Sequence, residues 1–222
     1  MTSPDPAAET RRLAAQASDQ DPTGWFEQLY LSARSGAAAI PWDRGGPHPL
    51  LAAWTAEHAL DGHGRSAVVV GCGLGSDAEY LAALGFATTA FDISPTAVAS
   101  ARERHPGSRV DYTTADLLEL RADWRGGFDF VFESLTVQSL PVGLHQRATE
   151  CVRSLVAPGG TLLVIAGARA AESEAVGPPW LLRRPEVEAF SGGELHTQQI
   201  EELPDRDNPA VRRWRVELRR TG

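Results

Sequence analysis

The 222-residue sequence predicts a three-layer α/β domain with a mostly parallel sheet and an antiparallel hairpin at its C-terminal edge. Three observations carry that prediction. Short apolar runs alternate with helical patterns along the middle of the chain, the arrangement that builds parallel strands with right-handed crossovers. The first of these runs, Ala67-Val68-Val69-Val70, leads straight into a glycine-rich turn. The last part of the chain instead holds two extended stretches, Leu195 to Glu202 and Val211 to Leu218, on either side of Pro204-Asp205-Arg206-Asp207-Asn208-Pro209.

The elements follow in order. Residues 1–22 are rich in Ala, Pro, Asp and Gln and are expected to be a flexible N-terminal segment, with one short helix over Ala7 to Ala17 as the alternative to a frayed tail. Residues 23–222 are expected to be a single domain, since a domain holds roughly 100–200 residues. Its first part, 23–60, mixes aromatic and turn residues in the manner of a lid: Trp25, Phe26, Tyr30, Pro41, Trp42, Asp43, Gly45, Gly46 and Pro47. A helix follows over Leu50 to Leu60, where Leu50, Leu51, Ala53 and Trp54 recur at helical spacing and Trp54 reads as core. The β-branched run at 67–70 reads as a strand buried on both faces. Asp77 to Leu84 reads as a helix closed by Gly85. Thr88 to Phe91 is the second strand, and Ser94-Pro95 supplies an N-cap with proline at the first helical position for a helix to His105. Strands at Arg109 to Thr113, Asp129 to Phe132 and Thr161 to Ile165, and a helix at Leu144 to Val156, complete the alternation.

Bulk composition narrows the function classes. The net charge of −8 (21 Arg and no Lys against 29 Asp plus Glu) argues against a nucleic-acid substrate, because such binding draws its affinity from neutralised phosphates. No apolar run approaches the roughly 20 residues that span a bilayer, and the N-terminus lacks a basic patch followed by an apolar stretch. Two cysteines, Cys72 and Cys151, are too few for a disulfide framework or a zinc site. The expectation is a cytoplasmic protein with a small-molecule partner, no membrane or nucleic-acid partner and no metal, acting as a monomer or homodimer.

The chemistry-bearing stretch is Val70-Gly71-Cys72-Gly73-Leu74-Gly75-Ser76-Asp77, a buried strand running into a glycine turn and a helix start. Glycines there let backbone approach a ligand, and the helix start offers unpaired N–H groups. Asp92 closes the second strand, 21 positions after Gly71, where a carboxylate can accept hydrogen bonds from both ribose hydroxyls of an adenosine. A dinucleotide site wants its third small residue at position 76, occupied here by Ser76; the glycines fall instead at 71, 73 and 75.

This pattern resembles the first motif of the class I S-adenosylmethionine-dependent methyltransferases, whose Rossmann-like fold has a seven-stranded sheet with the cofactor at the carboxyl ends of the first, second and fourth strands. The resemblance implies that Gly71, Cys72, Gly73 and Gly75 hold the methionine part of S-adenosylmethionine, with S-adenosylhomocysteine as product, and that Asp92 and Ile93 flank the ribose. It also implies that Asp116 contacts the adenine amine while Leu117 packs on the ring, although Asp116 equally suits a helix N-cap. The fourth strand ends in Glu133-Ser134-Leu135-Thr136-Val137-Gln138, the place where this family lines the site beside the sulfonium.

A narrower resemblance, from Trp25 onward, is to the thiopurine S-methyltransferase and halide/thiol methyltransferase group. Pro41-Trp42-Asp43-Arg44-Gly45, the run GCGLGSDAEYLA, Phe91-Asp92-Ile93-Ser94 and Gly177-Pro178-Pro179-Trp180 carry it. In that group N-terminal tryptophans cover the cofactor, which implies lid roles for Trp25 and Trp42; where the group often has a further tryptophan one turn later, this chain has Leu29 followed by Tyr30.

Methyl transfer from a sulfonium is an in-line displacement that needs alignment and water exclusion more than proton management, and a thiolate or halide acceptor needs almost none. Among the six histidines His48, in the lid, is the candidate base, with Glu133 as the other catalytic candidate; His145 and Arg147, on the helix after the fourth strand, are expected on a solvated helix face, with the pocket rim within reach as the alternative. The reading is a methyltransferase acting on a small acceptor such as a thiol or halide, with Asp92→Ala crippling cofactor binding while sparing the fold. Alternatives are an NAD-dependent oxidoreductase, disfavoured by Ser76 and by the absence of lysine, and a non-catalytic small-molecule-binding protein of the same fold.

Overall fold

A computed structural model describes residues 6–16, 21–170, 173–174 and 176–222. Its centre is a seven-stranded sheet of order β3-β2-β1-β4-β5-β7-β6. The strands are β1 (Ser66–Val70), β2 (Ala87–Asp92), β3 (Asp111–Thr114), β4 (Phe128–Ser134), β5 (Val156–Gly167), β6 (Leu195–Pro204) and β7 (Arg212–Arg220). β1 to β5 pair in parallel, whereas β7 runs antiparallel to β5 and carries β6 on its far side. The C-terminal hairpin is thus present, with its second strand inserted next to β5 and its first strand at the edge. The turn Pro158-Gly159-Gly160 falls inside the span of β5, where the pairing with β4 shifts register between Phe128 and Phe130.

Alternation along each strand explains the three layers. Odd-numbered Val69 and its neighbour Ala67 face one side, where they pack with Leu51 and Trp54 of α3 (Pro49–Glu57), Ala78 and Leu81 of α4 (Ser76–Ala83), and Val98 and Ala101 of α5 (Pro95–Arg104). Val68 and Val70 face the other side with Ala148 and Val152 of α6 (His145–Ser154) and Val187 of α7 (Arg184–Glu188). Strands buried on both faces need apolar residues at every position, which is why these runs are continuous and not alternating. Trp54 is core, stacked on Phe130 at 5.6 Å, with its indole N–H donated to Glu217.

Local signals set the helix starts. Ser94 Oγ accepts from the Ala97 N–H (3.0 Å) as the N-cap of α5, with Pro95 in its first turn. His48 caps α3 in the same way: Nδ1 accepts from the Leu50 N–H at 3.2 Å. Among the described residues four 3-10 turns occur, at Leu117–Glu119, Ala122–Trp124, Val137–Ser139 and Val142–Leu144; the N-cap reading of Asp116 anticipates the first, and the others were not legible as elements in the sequence.

The N-terminal region departs from the expected frayed tail. Residues 6–14 form helix α1 (Pro6–Ala14), and Leu13 and Ala14 are buried with Trp25, Leu29 and Tyr30 of α2 (Gly24–Arg34). Two buried apolar side chains suffice to seat a short helix that has little intrinsic stability alone; the rest of the expected flexible segment, 1–5 and 17–20, lies outside the described residues. Among the described residues no helix is long and apolar enough to cross a membrane.

Candidate active site

At the carboxyl ends of β1, β2 and β4 the sheet opens into a cleft of about 1180 Å³, its open mouth included. Gly71, Gly73 and Gly75 all have positive φ (62°, 53° and 88°), a conformation costly for other residues, so all three are required by the turn itself. The turn is tied to β2: Cys72 N–H donates to the Phe91 carbonyl (2.8 Å) and Gly73 N–H to Asp92 Oδ2 (2.9 Å). Asp92 Oδ1 accepts from the Ser94 N–H at 2.9 Å. One backbone donor on each oxygen leaves further lone pairs for a vicinal diol. Burial pushes the Asp92 carboxyl up to about 6, against the lowering effect of the Ser94 and Gly73 N–H groups.

Gly71, Cys72, Gly73, Asp92, Ile93, Asp116, Leu117 and Trp42 all line this cleft, as does His48. Asp116 caps the 3-10 turn, Oδ1 accepting from the Leu118 N–H (2.7 Å), and the residue is also part of the cleft wall. Gly75, Trp25 and Glu133 do not belong to the lining. Gly75 caps α4 and lies against the Tyr112 ring. Trp25 is buried behind the lid, stacked on Phe26 (3.9 Å between centroids) and edge-on to Trp42 (6.5 Å). Residues four apart share a helix face, so it is Phe26 and Tyr30 that α2 presents to the cleft. In the sequence both read only as members of the aromatic lid, with no helix predicted there; their four-residue spacing was the signal that could have singled them out.

The lid rests on the glycine turn. Trp42 donates its indole N–H to Tyr30 Oη at 2.9 Å, and a Cβ added at Gly73 would come within 3.0 Å of that hydroxyl. Glu27 fastens α2 to the start of α5, accepting from Ser94 Oγ, Thr96 Oγ1 and the Thr96 N–H. Burial raises the Glu27 carboxyl and these donors outweigh it, leaving Glu27 below the ordinary carboxylate range. Asp43 pairs with Arg104, and Arg44 with Asp207 and Asp205 of the β6–β7 connection. None of these latches shows in sequence, because the partners lie 61 to 163 positions apart.

Glu133 has a supporting role. It is 1% exposed, and Oε1 accepts from the Thr136 and Val137 N–H groups (2.8 and 3.0 Å), holding the segment whose Ser134, Leu135, Thr136, Ser139 and Leu140 form the cleft wall. Burial pushes its carboxyl up to about 7. His145 braces the same wall, its Nε2 2.9 Å from the Leu140 carbonyl, while Arg147 donates to the Leu118 carbonyl in the 3-10 turn after β3. His145 is buried, which sequence reading did not anticipate. The Trp180 N–H, after the Gly177-Pro178-Pro179 run, donates to the Gln138 carbonyl at 2.7 Å. Asp77, missed from the sequence although it follows the glycine turn directly, also lines the cleft; its Oδ1 accepts from the His48 N–H at 2.6 Å.

The family model of thiopurine S-methyltransferase matches residues 32–221, which include the turn, Asp92, Asp116 and the wall after β4. The chain belongs to the thiopurine S-methyltransferase family. Family membership places it among the class I S-adenosylmethionine-dependent methyltransferases, and the sheet order and edge hairpin agree with their fold. A 2-heptyl-1-hydroxyquinolin-4(1H)-one methyltransferase of Mycobacteroides abscessus is 26% identical over 68% of this chain and 66% of its own length. A ubiquinone biosynthesis O-methyltransferase of Xanthomonas axonopodis pv. citri is 31% identical over 63% of this chain and 61% of its own. The chain therefore spans just under two thirds of these curated relatives. Among solved structures, the Burkholderia thailandensis 1,6-didemethyltoxoflavin-N1-methyltransferase, with 1,6-didemethyltoxoflavin and S-adenosylhomocysteine bound, superposes with a TM-score of 0.67 at 17% identity, covering 89% of this chain and 86% of that one. An S-adenosylmethionine-dependent methyltransferase from Anabaena variabilis gives 0.70 at 14% identity, covering 88% and 93%.

For this family member, Asp92 makes a pH prediction. Its carboxyl sits near 6 in the free protein, and hydroxyl donors from a ribose favour the ionised form. S-adenosylhomocysteine binding is expected to tighten as pH rises from about 5 to 7 with release of a proton, and Asp92→Asn to remove most of that slope. Calorimetry in two buffers of different ionisation enthalpy reads both; affinity flat from pH 5 to 8 in the unmutated protein contradicts the assignment.

Proposed function

We propose that this chain transfers the methyl group of S-adenosylmethionine to a small-molecule acceptor, with a thiol or halide as the favoured nucleophile. The observation that carries the reading is the convergence of Gly71, Gly73 and Asp92 on one cleft beneath the Trp42–Tyr30 pair. The donor set fits the cofactor. Asp92 has acceptor capacity for two hydroxyls, Leu117 offers an apolar surface beside Asp116, and the bare Gly71 and Gly73 leave backbone where a side chain would intrude.

When bound, the cofactor supplies an electrophilic methyl group on a sulfonium. The protein's own residues bind, orient and exclude water. Asp92, Ile93, Asp116 and Leu117 would hold the adenosine; the turn from Gly71 to Gly73 would hold the amino-acid portion, with Tyr30 and Trp42 closing over it. Phe26, Leu135 and Leu140 make the remaining wall largely apolar, which keeps water from the reacting centre. A sulfur acceptor is supported by the family match. The relatives' names, which specify hydroxyquinolone, ubiquinone-pathway and ring-nitrogen substrates, support the coarser statement of a small acceptor.

The test has two stages. Calorimetry is expected to show S-adenosylhomocysteine binding, and no binding at millimolar ligand would end the reading. A panel of bisulfide, iodide, organic thiols, phenols and amines with labelled donor is then expected to give fastest transfer to sulfur; a preference for oxygen or nitrogen would move the acceptor class and leave the methyltransferase reading standing.

A further inference from the structure

We propose that His48 is a hydrogen-bond donor to the methyl acceptor and not the base that its place in the lid suggests, so that the cleft takes acceptors arriving already anionic. The inference rests on the methyltransferase reading above. Its ground is the ring itself. His48 is 5% exposed, forms part of the cleft wall, and spends Nδ1 as the N-cap acceptor for the Leu50 N–H. A neutral imidazole whose Nδ1 accepts carries its proton on Nε2. That buried Nε2 has no hydrogen-bond partner, although buried donors are nearly always paired. The ring is held in place from the main chain, since its own N–H is bound by Asp77.

The charges around it agree. Burial, then the guanidinium groups of Arg44 and Arg213, push the imidazole down to about 3, with Asp205 acting the other way. His48 is therefore uncharged at neutral pH, and a group that resists protonation this strongly is poorly placed to remove a proton. Asp205 pairs with both arginines, at 3.5 Å from Arg44 and 2.9 Å from Arg213, and only partly offsets them at the ring, so the guanidinium groups and the free N–H together favour an anion's lone pair. In the step itself the acceptor's lone pair forms the new bond to the methyl carbon while the carbon–sulfur bond breaks toward sulfur. No proton moves, and His48 keeps its own.

Two variants separate the ring's two nitrogens. Asparagine is a good N-cap, so His48→Asn keeps an acceptor for Leu50 and removes Nε2, whereas His48→Gln keeps an N–H donor near the Nε2 position. With 4-nitrothiophenol, ionised at neutral pH, His48→Asn is expected to lower kcat/KM by about 10- to 100-fold, the range for a hydrogen bond to a charged group. S-adenosylhomocysteine affinity should stay within about twofold, and His48→Gln should recover part of the rate. In the unmutated protein saturated with S-adenosylhomocysteine, the Nε2–H resonance should move on adding 4-nitrothiophenolate. The acidic limb of kcat/KM should follow the acceptor's own ionisation when thiophenol replaces 4-nitrothiophenol. An Asn variant with unaltered kcat/KM, a resonance that stays put while the thiolate binds, or a limb fixed across acceptors and lost in His48→Asn each overturns the proposal. Failure of the unmutated protein to bind S-adenosylhomocysteine overturns the functional reading, and this inference with it.

Discussion

Asp92→Ala is expected to weaken S-adenosylhomocysteine binding by about 100-fold or more. Hydrogen bonds to a charged group are worth about 1.5–3 kcal/mol each, and a carboxylate gripping two ribose hydroxyls loses both at once. The expectation that the fold is spared needs amendment, because Asp92 also pairs the Gly73 and Ser94 N–H groups. Leaving these unpaired costs about 1–3 kcal/mol apiece. Removing a carboxylate that burial makes reluctant to ionise offsets part of that at neutral pH. The sign follows from the raised folded value: ionised Asp92 detracts from stability as pH climbs through the interval from 3.8 to about 6, and contributes no such penalty below it. A net loss of about 1–3 kcal/mol by urea unfolding, alongside the much larger loss of affinity by calorimetry, is the expected pair of results. Affinity within threefold of the unmutated protein would show that Asp92 serves only the turn.

Gly71→Ala should be among the most destabilising single methyl additions in the domain. The backbone there has φ of 62°, which costs a residue with a Cβ about 1–2 kcal/mol. The added carbon would also run into the Thr136 side chain, with Cγ2 at 2.9 Å and Cβ at 3.2 Å. Thr136 is not free to move aside: its hydroxyl donates to the Val70 carbonyl at 3.0 Å, and its N–H is held by Glu133. Overpacking of this kind costs about 1–3 kcal/mol, so the single variant is expected to lose about 2–5 kcal/mol in urea unfolding. Pairing it with Thr136→Ala should return the steric part and leave the torsional part, a coupling of about 1–3 kcal/mol in a double-mutant cycle. Strict additivity of the two changes would mean that the collision is relieved elsewhere.

Much of this site is readable in the sequence because its parts are local. A glycine that must take positive φ, a serine that caps a helix through the N–H three residues on, and a carboxylate that ends a strand are each defined by a few consecutive residues. Gly71, Ser94 and Asp92 were found for that reason. Trp25 and Glu133 show the limit. Both sit in the right segments, yet the direction of a side chain depends on how its element is rotated against its neighbours: α2 turns Phe26 and Tyr30 toward the cleft, and Glu133 folds back on the N–H groups of its own loop. His145 was read as a residue of a solvated helix face within reach of the rim, and is instead sealed between Leu140 and Glu186.

The sequence by itself determined the layer architecture, the order of strands and helices through the parallel half, the edge hairpin, the glycine turn and the carboxylate beside it, because hydrophobic period and turn torsions are properties of short stretches. Only the tertiary structure decided which aromatics face the cleft, how Asp43, Arg44 and Glu27 fasten the lid, and which nitrogen of His48 keeps its proton. Those outcomes depend on partners brought together across distant parts of the chain, and on the exclusion of water that their contact produces, which no local pattern encodes.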